Sequence, residues 1–114
     1  MIANPEVSII ISFYNNFKFL ELVLAGFERQ SYKNFEILIA DDGSNQEIIN
    51  KLKSYISISP LHIRHIWHED LGWRKNMILN KAILESVSDY LIFVDGDCIP
   101  HKNFVYEHYI NRET

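Results

Sequence analysis

The chain has 114 residues, 47% of them hydrophobic, which predicts one domain, residues 1–114, that buries a sizeable core. Its formal net charge of −4, with no block of basic residues, argues against sequence-independent binding to nucleic acid. The single cysteine excludes an intrachain disulfide, and no secretory leader pattern is visible, so we expect a cytoplasmic protein. No segment approaches the roughly 18 apolar residues that span a bilayer, so any membrane association would be peripheral, at the cytoplasmic face.

Apolar patterns predict strands and helices that alternate along the chain. Continuous runs rich in β-branched residues indicate strands, and apolar residues three and four apart indicate amphipathic helices. The predicted strands are 7–12, 35–40, a weaker candidate at 61–67, and 90–94, and the predicted helices are 17–30, the segment between Ser44 and Pro60, 73–87 and 103–112. Ser44 and Glu47 have the spacing of a capping box at the start of the second helix.

This alternation predicts an α/β, Rossmann-like fold with a mostly parallel sheet and helices on both faces. The run at 90–94 is apolar throughout and is followed by Gly96 and Pro100, so we expect a strand that is buried on both faces. In open sheets of this kind the ligand lies beyond the carboxyl ends of the strands, where the winding reverses. Polar residues at those ends are therefore candidates for a binding site.

Polar side chains follow three of the predicted strands, so three loops could line one crevice. They are Ser12, Tyr14 and Asn15 after the first strand, Asp41, Asp42 and Ser44 after the second, and Asp95 and Asp97 after the last. Asp95 and Asp97 flank a glycine, and two carboxylates at this spacing suit Mg²⁺ or Mn²⁺, which take oxygen ligands and share them with substrate phosphates. The structural alternatives are an acidic turn without a metal at 95–97 and an ordinary Asp-Gly turn at 41–44.

Three segments in this order, 7–15, 30–44 and 95–97, resemble family 2 glycosyltransferases, which have the GT-A fold. The resemblance extends from Val7 to the end of the chain. It implies an enzyme that binds a nucleotide-diphosphate sugar, which we expect to be UDP-linked, through Mn²⁺ or Mg²⁺. It also implies transfer of the sugar to a saccharide or cell-surface glycan acceptor.

The same resemblance implies a role for each matching residue. Ser12 and Tyr14 would line the base pocket, Asp42 would accept from the base edge with Asp41 beside it, Asp97 would be the firmest metal ligand, and Asp95 would be a second ligand and the acid nearer to the donor sugar. Arg74 would face the nucleotide, since a guanidinium can stack on a base or pair with phosphate oxygens. A solvated helical turn is the alternative for Arg74, and the adjacent Trp73 is either a stacking platform or an ordinary core aromatic.

Family 2 enzymes are longer than this chain, and their later half supplies the acceptor pocket and the general base. We therefore expect an N-terminal, donor-binding part that lacks the catalytic base and alone transfers no sugar at a catalysed rate. The apolar strand at 90–94 would then lack part of its cover. We expect the isolated chain to self-associate through it.

Two other protein classes and two other sites are less well supported. A phosphoacceptor receiver domain needs acids after its first strand, and a sugar-nucleotide pyrophosphorylase needs a glycine-rich loop there; this chain has neither at 12–15. His62, His65 and His68 are spaced three apart on a predicted strand and would point to alternating faces, which argues against a zinc site. Cys98 is expected to be a small buried residue rather than a nucleophile.

Overall fold

The computed structural model describes residues 4–70, 72 and 75–112, in which strands and helices alternate along the chain. The strands are β1 (Val7–Phe13), β2 (Phe35–Asp41), β3 (Ile63–Trp67) and β4 (Tyr90–Asp95), and the helices are α1 (Phe17–Glu28), α2 (Gln46–Ile58), α3 (Lys75–Glu85) and α4 (Phe104–Ile110). Every predicted element is confirmed, the weaker strand candidate included, with small differences in the bounds. Within the described residues, no helix has both the length and the apolar character needed to cross a membrane.

The four strands form one parallel sheet in the order β3-β2-β1-β4. The chain starts in the interior of the sheet, winds outward through β2 and β3, and then crosses back to add β4 on the other side of β1. The winding therefore reverses between β1 and β4, and the carboxyl ends of these two strands flank the crevice in which such sheets bind ligands. The predicted α/β, Rossmann-like architecture is confirmed.

Helices cover both faces of the sheet, and each face has its own hydrophobic core. On one face, strand residues such as Ile9 and Ile37 pack against α1, α2 and α4. On the other face, intervening residues such as Ile10 and Leu38 pack against Ile78 of α3. Successive side chains of a strand point to opposite faces, and for this reason β1 and β2 are apolar at most positions.

β4 lies at the edge of the sheet, where its one partner in the described part of the chain is β1. Ile92 and Val94 are buried, whereas Phe93 is 54% exposed. The expectation that 90–94 is buried on both faces is therefore wrong. The physical reason is that α3 packs over β1, β2 and β3, which leaves the same face of β4 open beside it.

The start of α2 differs from the predicted capping box. Asn45 is the N-cap, and its Oδ1 accepts the backbone N–H of Ile48 at 3.1 Å. Ser44 instead donates its hydroxyl to Asp41 Oδ1 at 2.6 Å. The predicted box of Ser44 and Glu47 is wrong because the buried Asp41 carboxylate recruits the Ser44 hydroxyl into the turn that follows β2.

A buried carboxylate fixes β3 against the rest of the sheet. Glu36 of β2 is fully buried and accepts hydrogen bonds from Ser8 at 2.5 Å, from Arg64 at 2.9 Å and from the Val87 backbone N–H at 2.9 Å. Burial by itself raises the pKa of Glu36, but the three donors favour the ionised form and together hold its pKa below the usual value. Because an unpartnered buried charge is strongly destabilising, this arrangement holds β3 beside β2.

Candidate functional site

Two adjoining cavities open at the carboxyl ends of β1 and β2. The first, of about 250 Å³, is lined by Tyr14, Asp42, Asp70 and Gly72. The second, of about 160 Å³, shares Tyr14 and Asp42 with the first and extends to Ser12. The structure thus brings together Ser12, Tyr14 and Asp42, three of the residues that the sequence placed in a shared crevice.

Asp41 and Asp42 have different surroundings although they are adjacent. Asp41 is fully buried: its Oδ1 accepts the backbone N–H and the hydroxyl of Ser44 at 2.9 and 2.6 Å, and its Oδ2 bonds to His65 Nε2 at 2.8 Å. Asp42 has a side chain that is 16% exposed, bonds to His68 Nε2 at 2.5 Å and lines both cavities. Asp41, which the sequence placed beside Asp42, organises the turn from within the protein.

Asp70 lines the larger cavity, although the sequence assigned it no role there. Gly43 has a φ of +93°, and a Cβ at this position would lie 2.4 Å from the Asp70 Cα, so glycine is required for the close approach of the two loops. Tyr14 donates its hydroxyl to Asp70 Oδ2 at 2.7 Å, and this hydrogen bond raises the pKa of Tyr14 and lowers that of Asp70. The signal that could have found Asp70 is its position shortly after β3, at the same edge of the sheet.

Asp95 lies at the carboxyl end of β4 and accepts hydrogen bonds from two side chains of other elements. Ser12 Oγ donates to Asp95 Oδ1 at 3.0 Å, and Lys75 Nζ lies 3.4 Å from the same oxygen. The Ser12 hydrogen bond, followed by the hydrogen bond and charge of Lys75, lowers the pKa of Asp95. The side chain is nevertheless 65% exposed, so an ionised carboxylate is available to a ligand. Lys75 is a second crevice residue that the sequence did not single out.

Asp97 follows Asp95 across a tight turn against β1. A Cβ on Gly96 would lie 2.8 Å from the Ser12 carbonyl oxygen, so this turn also requires glycine. Asp95, Asp97 and Cys98 each offer a ligand atom within 4.8 Å of the others, and all three residues are exposed. Two carboxylates with open coordination space fit the oxygen preference of Mn²⁺ or Mg²⁺.

Cys98 is exposed, so the expectation of a buried cysteine is wrong. The turn at Gly96 carries Cys98 past the end of β4 to the surface, and its backbone N–H bonds to the Asp95 carbonyl oxygen at 3.1 Å. Partial desolvation, together with the neighbouring carboxylates of Asp97 and Asp95, raises the pKa of the thiol. These conditions keep the sulfur protonated and do not favour a nucleophile.

The segment after Asp97 is anchored to α1 by a buried amide. Gln30 is 1% exposed; its Nε2 donates to the carbonyl oxygens of His101 at 2.6 Å and Gly26 at 3.1 Å, and its Oε1 accepts the Val105 N–H at 2.9 Å. Pro100 is buried in the same region. The acidic turn is therefore held from both sides, by β4 before it and by α1 after it.

The remaining candidates divide into two groups. Arg74 and Trp73 lie outside the described residues. His65 and His68 bond to the two different carboxylates of the Asp41 and Asp42 pair.

Within the described ranges, the group at Asp95, Asp97 and Cys98 is the one cluster of at least three His, Cys, Asp or Glu side chains that could hold a metal ion.

The fold and these loops match a known family. The model of glycosyl transferase family 2 matches residues 8–110. The chain belongs to this family. The resemblance seen in the sequence is thereby confirmed, and the alternatives of a receiver domain and a sugar-nucleotide pyrophosphorylase are set aside.

Known relatives are much longer than this chain. Chondroitin synthase of Escherichia coli is 27% identical over 100 residues, which are 87% of this chain and 14% of that protein. The putative glycosyltransferase EpsE of Bacillus subtilis (strain 168) is 30% identical over 97 residues, which are 85% of this chain and 34% of that protein. The chain thus spans between about a seventh and a third of the length of these relatives.

Solved structures of glycosyltransferases share the fold. S. aureus TarS 1-349 matches with a TM-score of 0.80 at 20% identity, covering 92% of this chain and 31% of that one. The mannosyltransferase PcManGT from Pyrobaculum calidifontis, solved with GDP-Man and Mn²⁺, matches with a TM-score of 0.74 at 21% identity, covering 86% of this chain and 29% of that one. TarS has also been solved with UDP and with UDP-GlcNAc. The expected GT-A type fold is confirmed.

The substitution Ser12→Ala is expected to raise the pKa of Asp95, because the Ser12 hydroxyl is the largest influence lowering it. Lys75→Met is also expected to raise it, because the hydrogen bond and the charge of Lys75 both lower this pKa. A carbon-detected NMR titration of the Asp95 carboxyl measures both, with Ser57→Ala on α2 as a matched control. Since the depressed pKa stabilises the fold above the ordinary Asp range, that stabilisation is lost as the pH falls through the folded pKa. An Asp95 pKa that is equal in all four proteins would contradict this account.

Proposed function

We propose that this chain binds the nucleotide-diphosphate sugar donor of a glycosyltransferase, with a UDP-linked sugar and a divalent metal. The observation that carries the proposal is a single crevice at the reversal of the sheet, with the cavity at Tyr14 and Asp42 on one side and the acids Asp95 and Asp97 on the other. A nucleoside needs an enclosed polar pocket, and a diphosphate needs a cation. The UDP and UDP-GlcNAc complexes of TarS support uridine as the nucleoside.

The nucleoside is assigned to the side of the crevice formed by the loops after β1 and β2. Tyr14 offers an aromatic ring to the base, and Asp42 offers a carboxylate that accepts an N–H from the base edge. Ser12 lies between the two sides: it borders the smaller cavity and donates its hydroxyl to Asp95. Arg74 remains proposed as a contact to the nucleotide, on the basis of the family resemblance.

The diphosphate side is assigned to the acidic turn. Asp97 is proposed as the firmest ligand of Mn²⁺ or Mg²⁺, with Asp95 as a second ligand and the acid nearer to the donor sugar. A bound divalent cation supplies charge neutralisation for the diphosphate leaving group. Mn²⁺ in the PcManGT structure supports the choice of metal class. Lys75, beside Asp95, adds a positive charge at the same side of the crevice.

The acceptor and the general base are not assigned to residues of this chain. Transfer needs a base within hydrogen-bonding distance of the acceptor hydroxyl. The crevice carboxylates already have other contacts: Asp42 with His68, Asp70 with Tyr14, and Asp95 with Ser12. We propose that a saccharide or cell-surface glycan accepts the sugar and that the base lies outside residues 1–114. The names of relatives such as chondroitin synthase support an acceptor of this class.

UDP with Mn²⁺ is expected to stabilise this chain against heat. Ligand at 100 times its dissociation constant adds about 2.7 kcal/mol to the free energy of unfolding by mass action. For a domain of this size, that corresponds to a rise in melting temperature on the order of 10 °C. Differential scanning calorimetry with UDP, GDP and ADP, each with and without Mn²⁺, measures the effect. A folded chain whose melting temperature changes with none of these mixtures would refute the donor-site proposal.

Substitutions of Asp97 and of Asp42 are expected to affect UDP binding in different ways. Asp97→Asn should abolish the increase in UDP affinity that Mn²⁺ provides, whereas Asp42→Ala should weaken UDP binding by roughly tenfold or more both with and without Mn²⁺. Isothermal titration calorimetry measures the dissociation constant of UDP for each protein with and without Mn²⁺. Asp89→Asn, an exposed acid at the other end of β4, is the control that should change neither. Equal losses in the two crevice variants under both conditions would show that the division of roles is wrong.

We also propose that the isolated chain self-associates through the open edge of β4. An unpaired edge strand presents backbone donors and acceptors, and Phe93 adds an exposed aromatic surface beside them. Phe93→Lys is therefore expected to lower the association constant, since a charge at an edge strand opposes pairing. Sedimentation velocity measures the shift, with Ile58→Lys, an exposed apolar residue at the end of α2, as the control. A chain that stays monomeric at tens of micromolar, about the concentration at which exposed apolar surface associates, would contradict the proposal.

A further inference from the structure

β3 and the residue after it place one histidine against each carboxylate of the Asp41 and Asp42 pair. β3 runs parallel to β2 with Trp67 opposite Asp41, and the His68 N–H donates to the Asp41 carbonyl oxygen at 3.3 Å, which continues the pairing by one residue. Side chains one or three residues apart on an extended chain point to opposite faces. The same alternation that separates Asp41 from Asp42 therefore separates His65 from His68. Each histidine meets a different carboxylate.

The two pairs differ in what the carboxylate faces. Asp41 is fully buried and holds the turn through Ser44, so its bond to His65 acts on the turn. Asp42 lines both cavities of the crevice. His68 bonds to Asp42 Oδ1 at 2.5 Å, and the two side chains are 17% and 16% exposed. His68 therefore contacts a carboxylate that lines the crevice.

We propose that His68 is a positioning residue for nucleoside recognition, which holds one oxygen of Asp42 so that the carboxylate is already oriented to accept an N–H from the base. The inference rests on the proposed function and explains how the nucleoside pocket selects its ligand. The chemical group recognised is an imide or amide N–H on the base edge, such as N3–H of uracil. At the corresponding ring position of adenine, N1 accepts rather than donates, so a carboxylate oriented toward that position disfavours adenine.

Orientation before binding matters because Asp has two rotatable side-chain bonds. A carboxylate that must be ordered when the ligand arrives loses rotamer entropy at that step, which weakens binding. The bond from His68 removes this cost in the free protein. The partial burial of both groups strengthens the bond relative to one in water.

Calorimetric titration of UMP and UDP, each with and without Mn²⁺, tests the proposal. His68→Ala is expected to weaken UMP and UDP alike by about tenfold, the effect of one lost hydrogen bond to a carboxylate. The factor by which Mn²⁺ improves UDP binding should stay the same, because the metal is on the other side of the crevice. His68→Gln should recover most of the affinity, since its amide nitrogen can donate from near the position of Nε2. His62→Ala, which removes a histidine next to β3 and away from the crevice, is the matched control.

A second comparison separates positioning from general destabilisation. In the Asp42→Ala background, His68→Ala should cause no further loss of UMP affinity, because the residue it positions is already gone. Melting temperatures of all variants are measured alongside, and if His68→Ala fails to fold, His68→Leu, which occupies the space but has no side-chain donor, and its combination with Asp42→Ala carry the same comparison. Unchanged UMP binding in both His68 variants, or a loss that adds to that of Asp42→Ala, would overturn the inference and leave the proposed function intact. Failure of the unsubstituted chain to bind any uridine nucleotide would overturn both.

Discussion

The interior position of β1 in a parallel sheet is the constraint on which the rest of the site depends. β1 has β2 on one side and β4 on the other, and Ser12 is paired with Ala40 in one direction and Asp95 in the other. Because the strands share one direction, their polar ends meet at one edge, and the reversal of winding leaves a crevice there. Asp42 and Asp95 thus lie at the same edge of the sheet although they are far apart in the sequence.

Buried polar groups with complete sets of partners hold this edge in place. Glu36 ties β3 to β2, Asp41 closes the turn after β2, and Gln30 fixes the segment after the acidic turn. No fully buried side-chain nitrogen or oxygen in the described residues lacks a hydrogen-bond partner. Each group would be costly to leave unpaired, so the turn after β2 and the segment after the acidic turn have little freedom to rearrange. A donor bound as proposed would therefore meet turns that are already ordered by these groups.

The charge of the crevice agrees with the proposed use of a metal. Asp42, Asp70, Asp95 and Asp97 all lie along it, and Lys75 stands beside Asp95. A diphosphate brought close to these carboxylates would be repelled, by roughly 1 to 4 kcal/mol for each pair of charges about 4 Å apart near a protein surface. If Asp97 holds a divalent cation, as proposed, the charge of the cation would offset this repulsion. In the proposed function the acids therefore serve to hold the cation that an anionic ligand requires.

The sequence by itself determined the alternation of strands and helices and the parallel sheet, because hydrophobic periodicity is a local property of each segment. The ends of parallel strands share one edge, so the sequence also grouped Ser12, Tyr14, Asp42 and Asp95 there. Only the tertiary structure decided that Asp41 is buried while Asp42 faces the crevice, that Ser44 joins the turn rather than capping α2, and that Phe93 is exposed. It also brought Asp70 and His68 into the site. The physical reason is that the surroundings of these side chains are set by segments distant in sequence, through β3 beside β2 and the open edge of β4.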